Sequence, residues 1–222
     1  MSLLCALAVL LCVWAAPAAA QEPDTRLAPT MVVLDASGSM TGADPAGGTK
    51  MDAARQAVHT FIDAAPDGAP VGLAAYGTST GNSDAERAQG CQDVTVVSPV
   101  GPLDRAGLGA AVDGLTPRGY TPIGRALQVA ADELPQEGPR SIVLVSDGVD
   151  TCAPPEPCEV VRTLAGQGVD LVVHAVGFGV DAEARAQLSC IAQATGGTYT
   201  DAPDASALQR VLPRVTGSAL RN

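Results

Sequence analysis

Short apolar runs alternate along this chain with longer segments of helical periodicity. Residues 31–34 are all apolar, and residues 141–145 are apolar after the first one, as strands in the centre of a parallel sheet are. The run at 94–97 follows the run at 71–76 closely enough to pair with it as an antiparallel neighbour. Alternation of strands and helices implies a mostly parallel sheet with helices on both faces. We therefore predict an α/β fold, doubly wound and Rossmann-like, with six strands and one antiparallel edge strand.

The spacing of apolar residues and the turn signals between them place each element along the chain. The predicted strands cover residues 31–34, 71–76, 94–97, 141–145, 170–176 and 198–200. The predicted helices cover residues 51–64, 103–115, 122–134, 159–165, 181–194 and 204–215. Because proline lacks an N–H and disturbs a helix interior, we expect the last helix to be interrupted near Pro213.

The first predicted strand leads directly into Asp35-Ala36-Ser37-Gly38-Ser39. In an open α/β sheet, ligands bind outside the carboxyl ends of the strands, where this loop would lie. A carboxylate and two hydroxyls at alternate positions, on a loop tightened by Gly38, can direct three oxygens to one point. Oxygen donors without His or Cys suit Mg²⁺ or Ca²⁺ rather than zinc. Taken alone, the two serines could equally cap the following helix.

Two later segments bring further oxygen ligands to the same edge of the predicted sheet. Thr121 lies at the junction between a loop and the helix at 122–134, and Asp147 follows the strand at 141–145. Asp150, close behind Asp147, is expected to be a solvated loop carboxylate. We therefore predict a metal site with five ligands: Asp35, Ser37, Ser39, Thr121 and Asp147.

This ligand set resembles the metal-ion-dependent adhesion site of von Willebrand factor type A domains. The resemblance extends from about residue 29 to residue 215. It rests on three motifs that occur in order: Asp35-Ala36-Ser37-Gly38-Ser39, Gly119-Tyr120-Thr121-Pro122-Ile123-Gly124 and Val145-Ser146-Asp147-Gly148. Segments 176–179 and 194–197 also resemble the bacterial secreted members of that family.

The resemblance implies a mode of binding. In that family the two serines and the threonine coordinate the metal directly, and the aspartates act directly or through water. One coordination position stays open for a carboxylate of the partner. For this chain the resemblance implies a binding domain at 29–216 that holds Mg²⁺, with Ca²⁺ and Mn²⁺ as alternatives. Through the ion the domain would bind an acidic side chain of a protein ligand.

The alternative class is a metal-dependent hydrolase, or a subunit of a metal-dependent enzyme complex, in which the same ion would activate water. A general base beside the ion would distinguish this class, and the sequence offers none beyond the ligand aspartates. The two histidines, His59 and His174, are expected to be packed or surface residues rather than catalytic bases. We therefore predict that the protein is not an enzyme.

Charge and the N-terminal segment restrict the partners and the location. A formal net charge of −11 argues against nucleic acid as a partner. Residues 1–20 are apolar and end in alanines before Gln21, as a cleaved signal peptide does, and their apolar run is shorter than the roughly 20 residues that span a membrane. We predict a signal peptide at 1–20, a lead-in at 21–28 and a tail at 217–222. The mature protein would be periplasmic or secreted, without a membrane span.

Four cysteines remain in the predicted mature chain, and an even number in an exported protein predicts disulfides. They are Cys91, Cys152, Cys158 and Cys190. Three pairings are possible, and sequence alone does not fix the connectivity. Our working hypothesis is Cys152–Cys158, which closes a proline-rich loop and leaves Cys91–Cys190. A zinc site is the alternative, and no Cys-x-x-Cys spacing supports it.

Overall fold

One six-stranded sheet organises the residues that the computed structural model describes, 27–167 and 170–221. Its strands are β1 (Thr30–Asp35), β2 (Pro70–Tyr76), β3 (Val94–Pro102), β4 (Arg140–Ser146), β5 (Leu171–Phe178) and β6 (Tyr199–Ala202). The spatial order is β3-β2-β1-β4-β5-β6. Only β2 and β3 pair antiparallel; the other neighbouring pairs are parallel. The predicted sheet with one antiparallel edge strand is confirmed. The signal peptide predicted at 1–20 lies outside the described residues.

Helices cover both faces of this sheet, as predicted. They are α1 (Lys50–Ala64), α2 (Arg87–Gly90), α3 (Arg105–Asp113), α4 (Ile123–Glu133), α5 (Pro157–Gly166), α6 (Ala182–Gln193) and α7 (Ala205–Ala219). Successive residues of β1 point to opposite faces. Val32 and Leu34 pack with α1, α3 and α7, whereas Met31 and Val33 pack with α4, α5 and α6. The two apolar clusters make this a doubly wound fold with a core on each side.

The interruption predicted near Pro213 is wrong. α7 continues from Ala205 to Ala219 with the proline inside it. Leu212 and Thr216 on either side of the proline are completely buried, and Thr216 Oγ1 donates a hydrogen bond to the Leu212 carbonyl at 2.8 Å. Burial of this face against the sheet and α1 therefore outweighs the cost of one missing backbone N–H.

The four cysteines form two disulfides, but the pairing we hypothesised is wrong. Cys91 pairs with Cys152, and Cys158 pairs with Cys190. Cys158 lies buried in the first turn of α5, which packs beside α6, where Cys190 is located. Cys152 lies in the loop after β4 and meets Cys91 directly after α2. The direction in which α5 faces, rather than closeness in sequence, decides the pairing.

In the part of the chain that the structure describes, no helix combines the length and apolar character needed to cross a membrane.

Candidate metal centre

The predicted ligands lie where the chain changes direction across the sheet. β1 is flanked by β2 and β4, and the helices that follow β1 and β4 cover opposite faces. The loops after these two strands therefore diverge and leave a crevice at the carboxyl edge, where open α/β sheets bind ligands. Asp35 ends β1 and Asp147 follows β4, so both carboxylates lie at this crevice.

Asp35 is completely buried, and hydrogen bonds fix the orientation of its carboxylate. Its Oδ1 accepts a hydrogen bond from the Ser37 N–H at 2.8 Å. Its Oδ2 accepts one from Ser146 Oγ at 2.8 Å and one from the Asp147 N–H at 3.3 Å. Burial raises the pKa of Asp35, and the negative charge of Asp147 raises it further. Two carboxylates so close together in a buried position favour a cation beside them.

The two serines connect the loop after β1 to Asp147. Ser37 Oγ and Ser39 Oγ are 3.0 Å apart, and Ser39 Oγ donates a hydrogen bond to Asp147 Oδ1 at 2.6 Å. The other carboxylate oxygen of Asp147 accepts a hydrogen bond from Lys50 Nζ at 2.8 Å. Four of the five predicted ligands are thus joined in one network, and Lys50 belongs to it.

Thr121, the fifth predicted ligand, lines the same cavity as Ser37 and Ser39. The cavity has a volume of about 520 Å³, and its wall also includes Asp84 and Arg87. The backbone of Thr121 is held by Thr151: its N–H donates to Thr151 Oγ1 at 2.9 Å, and its carbonyl accepts from the Thr151 N–H at 3.0 Å. The structure therefore places all five predicted residues at one crevice.

Direct backbone contacts hold three loops together beneath the crevice. The Gly38 N–H donates to the Gly119 carbonyl, and the Gly119 N–H donates to the Gly77 carbonyl, each at 2.9 Å. Gly77 follows β2 with a φ of +74°, and a Cβ there would lie 2.7 Å from the Tyr120 carbonyl oxygen and 2.8 Å from Ser37 Cα. Only glycine fits at this position without displacing a neighbouring loop.

Asp150 is not the solvated loop carboxylate that we expected. Its Oδ2 accepts a hydrogen bond from the Gly124 N–H in the first turn of α4 at 2.8 Å. Its Oδ1 accepts bonds from the N–H groups of Cys152 at 2.6 Å and Ala153 at 2.9 Å. An aspartate followed by a turn is a known signal for such bonds and could have been recognised. Lys50 carries no comparable signal, because its partner Asp147 lies far away in the sequence.

The residues present suit a hard divalent cation. Among the described residues, no group of three or more His, Cys, Asp or Glu side chains is placed to hold a metal ion, so a nitrogen- or sulfur-rich site is not offered there. The predicted set supplies two carboxylates and three hydroxyls. Mg²⁺ prefers such oxygen donors and commonly keeps several waters, so a complete cage of protein ligands is not needed.

His59 is a surface residue and His174 is a packed one, as expected. His59 projects from α1, where its Nε2 is 2.8 Å from Asp113 Oδ1 of α3. His174 lies inside β5 and is 5% exposed, with its Nδ1 2.9 Å from Thr198 Oγ1. Each ring therefore lies within hydrogen-bond distance of a side chain outside the predicted ligand set.

A Rossmann-like sheet with hydroxyl and carboxylate groups gathered where its strand order reverses defines an open α/β domain. Comparison with known families identifies the family within this class. The profile of the von Willebrand factor type A domain matches residues 30–149. The chain belongs to the von Willebrand factor type A domain family.

Individual relatives extend the comparison over most of the chain. The uncharacterized protein YwmD of Bacillus subtilis (strain 168) is 28% identical over 196 residues, which are 87% of this chain and 85% of that protein. A von Willebrand factor type A structure from Catenulispora acidiphila superimposes with a TM-score of 0.68 and 23% identity, covering 88% of this chain and 43% of that one. This likeness shows a shared fold, and the present chain spans less than half of that structure.

One further solved structure contains an ion. Proximal thread matrix protein 1 (PTMP1) from the mussel byssus has been described with a zinc-occupied MIDAS motif, the abbreviation for a metal-ion-dependent adhesion site. It superimposes with a TM-score of 0.63 and 19% identity, covering 88% of this chain and 46% of that one. The two chains therefore share a fold over this region.

Proposed function

We propose that this chain is an exported, non-catalytic domain that binds Mg²⁺ and, through the ion, a carboxylate of a protein ligand. The observation that carries the proposal is the contact between the two sides of the crevice. Ser39 Oγ bonds to Asp147 Oδ1 at 2.6 Å, and Asp35 accepts the Asp147 N–H. Hard oxygen donors from separate loops thereby converge, which is what Mg²⁺ requires. The proposed ligands are Asp35, Ser37, Ser39, Thr121 and Asp147.

The zinc-occupied motif of PTMP1 supports the cation part of the proposal, because that protein has the same fold and holds a divalent ion. The donor set of the present chain contains only hydroxyl and carboxylate oxygens, which favours Mg²⁺ over zinc. A bound ion would supply positive charge for an incoming carboxylate. The cavity beside Ser39 and Thr121 offers space for a side chain of the partner.

Titration calorimetry with Mg²⁺ tests this function. We expect the wild-type protein to bind the ion, and S39A and T121V to bind it at least about tenfold more weakly, because each loses one oxygen donor. T163V is the matched control, since it removes a hydroxyl on the exposed surface of α5 that donates a hydrogen bond to the Glu159 carbonyl in its own helix. It should bind as the wild type does, and thermal melting should show all three variants folded.

Two results would contradict the proposal: a wild-type protein that binds neither Mg²⁺ nor Mn²⁺, or a T121V variant with wild-type affinity. Phosphatase and peptidase assays of the Mg²⁺-loaded protein test the non-catalytic part, and we expect no turnover. Turnover that disappears in T121V would support the hydrolase alternative instead.

We also propose export, with residues 1–20 removed, 21–28 as a lead-in, 29–216 as the binding domain and 217–222 as a tail. The two disulfides support an oxidising compartment, because such bonds persist mainly outside the cytosol. Mass spectrometry of the protein from periplasm and medium should find a chain that begins at Gln21. A chain that retains the first twenty residues would contradict this.

A further inference from the structure

Lys50 is the single lysine of this sequence, and it lies against a proposed metal ligand. Its Nζ is 2.8 Å from Asp147 Oδ2, and the Asp147 side chain is fully buried. The Lys50 side chain is itself only 20% exposed. The Lys50 ammonium therefore lies directly beside a buried carboxylate of the crevice.

The start of α1 fixes the position of Lys50. Thr49 caps the helix by accepting a hydrogen bond from the Asp52 N–H, and Asp52 bonds back to the Thr49 N–H. The Lys50 N–H donates to the Gly42 carbonyl at 2.9 Å. On its other side the ammonium passes Gly179, where an added Cβ would lie 3.8 Å from Nζ. The lysine is therefore enclosed between the loop after β4 and the loop after β5.

The lysine changes the charge that a bound ion would leave in the crevice. The carboxylates of Asp35 and Asp147 carry two negative charges, so a divalent cation would neutralise them. With Lys50 counted, the loaded crevice keeps one positive charge. Lys50 also bonds to Asp147 Oδ2, while Ser39 bonds to Oδ1, so the ion must compete with an internal cation for Asp147.

We propose that Lys50 sets the balance between ion and partner: it weakens binding of the divalent cation and strengthens the attraction of the loaded site for an acidic ligand. This inference rests on the proposed metal-binding function and names a residue outside its ligand set. An ion pair with only a structural role would act differently, because its removal would weaken both binding steps or neither. Effects of opposite sign are therefore the signature of the proposal.

The test uses K50M, which keeps the length of the aliphatic chain and removes the charge. Mn²⁺ affinity is measured by calorimetry, and binding of acetate to the Mn²⁺-loaded protein is followed by water proton relaxation. We expect K50M to bind Mn²⁺ about fivefold or more tightly than wild type, and acetate about fivefold or more weakly, because a neighbouring unit charge is removed. K50Q, which can still donate to Asp147, is the second variant if K50M does not fold.

R185M is the matched control, since it removes the same charge from an exposed ion pair with Asp201. It should leave both affinities unchanged. Lysine variants whose Mn²⁺ affinity is unchanged or reduced, or whose acetate affinity does not fall, would overturn the inference while the metal-binding function stands. A wild-type protein that binds no ion contradicts the proposed function, and if the lysine variants also bind none, this inference falls with it. Ion binding that appears only in K50M or K50Q would overturn the proposed balance, because Lys50 would then exclude the ion from the wild-type site altogether.

Discussion

Some side chains near the proposed metal site contribute by holding a proposed ligand residue in place. Thr151 is outside the proposed ligand set, yet it makes two hydrogen bonds with Thr121: its Oγ1 accepts from the Thr121 N–H, and its N–H donates to the Thr121 carbonyl. Arg87 in turn donates to the Thr151 carbonyl at 2.6 Å and lies over the Tyr120 ring, 5.5 Å from its centroid. The backbone of Thr121 is therefore held by residues outside the proposed ligand set.

His174 makes folding stability depend on pH. Burial lowers the pKa of its imidazole below the ordinary value of 6.5, so the folded protein binds this proton less readily than the unfolded chain. The stabilising contribution is complete above about pH 6.5 and is lost as the pH falls towards the folded-state pKa. Asp35 acts in the opposite sense, since its raised pKa favours protonation in the folded state. The two effects must therefore be separated by mutation.

Urea denaturation of wild type and H174Q at pH 7.5, 6.5 and 5.5 makes that separation. We expect the free energy of unfolding of the wild type to fall relative to that of H174Q as the pH decreases, because only the wild type has this group to protonate. A difference between the two proteins that stays constant over this range would contradict the assignment.

At the level of secondary structure, α7 is the element in which local sequence and tertiary packing disagree most clearly. Pro213 would end an isolated helix, but α7 continues because its apolar face is buried against α1 and the sheet. Asp44, in the loop before α1, also accepts a hydrogen bond from the Ala205 N–H at 3.0 Å and so anchors the first turn of α7. Packing at both ends holds a helix that its sequence alone does not favour.

Leu212 should therefore contribute strongly to stability. We expect L212A to lower the free energy of unfolding by about 2–5 kcal/mol, because it leaves a cavity beside a residue with no exposed surface. R214A, on the exposed side of the same helix, should change it by less than about 0.5 kcal/mol. Urea denaturation measures both, and equal effects of the two substitutions would show that α7 is not held by this face.

At the scale of the whole molecule, two disulfides brace different parts of the structure. Cys158–Cys190 joins α5 to α6 on one face of the sheet, across 32 residues of sequence. Cys91–Cys152 joins two loops at the carboxyl edge, across 61 residues, and adjoins Thr151. The first bond therefore supports the helical layer, and the second supports the crevice.

Removing one disulfide at a time should distinguish an effect on stability from an effect on ion binding. We expect C158A/C190A and C91A/C152A each to lose about 2–4 kcal/mol of stability, because the unfolded chain regains freedom. Only C91A/C152A should also bind Mg²⁺ several-fold more weakly, since its loop carries the residue that positions Thr121. Denaturation and calorimetry on the same samples check both statements, and equal Mg²⁺ affinities in the two variants would contradict the second.

The sequence predicted the six-stranded sheet and its antiparallel edge strand well, for a definite reason. Runs such as 31–34 and 141–145 are almost entirely apolar, as the central strands of a parallel sheet are, and polar residues directly after parallel strands meet at one edge. What the sequence could not predict depends on the directions in which helices face. The pairing of Cys158 with Cys190, the continuity of α7 through Pro213 and the contact of Lys50 with Asp147 all arise from helix packing.

The glycine after β2 has a practical consequence for protein engineering. Gly77 has no side chain, and a Cβ at this position would collide with both the loop that carries Ser37 and the loop that carries Tyr120 and Thr121. The five proposed ligands could be introduced into another Rossmann-like protein by mutation. The design would fail if that protein had a side chain at the position of Gly77, because the side chain would push the Ser37 loop away from the Thr121 loop. The smallest transferable unit is therefore four loops, one of which contributes the backbone of Gly77, with its hydrogen bond from Gly119 and no side chain.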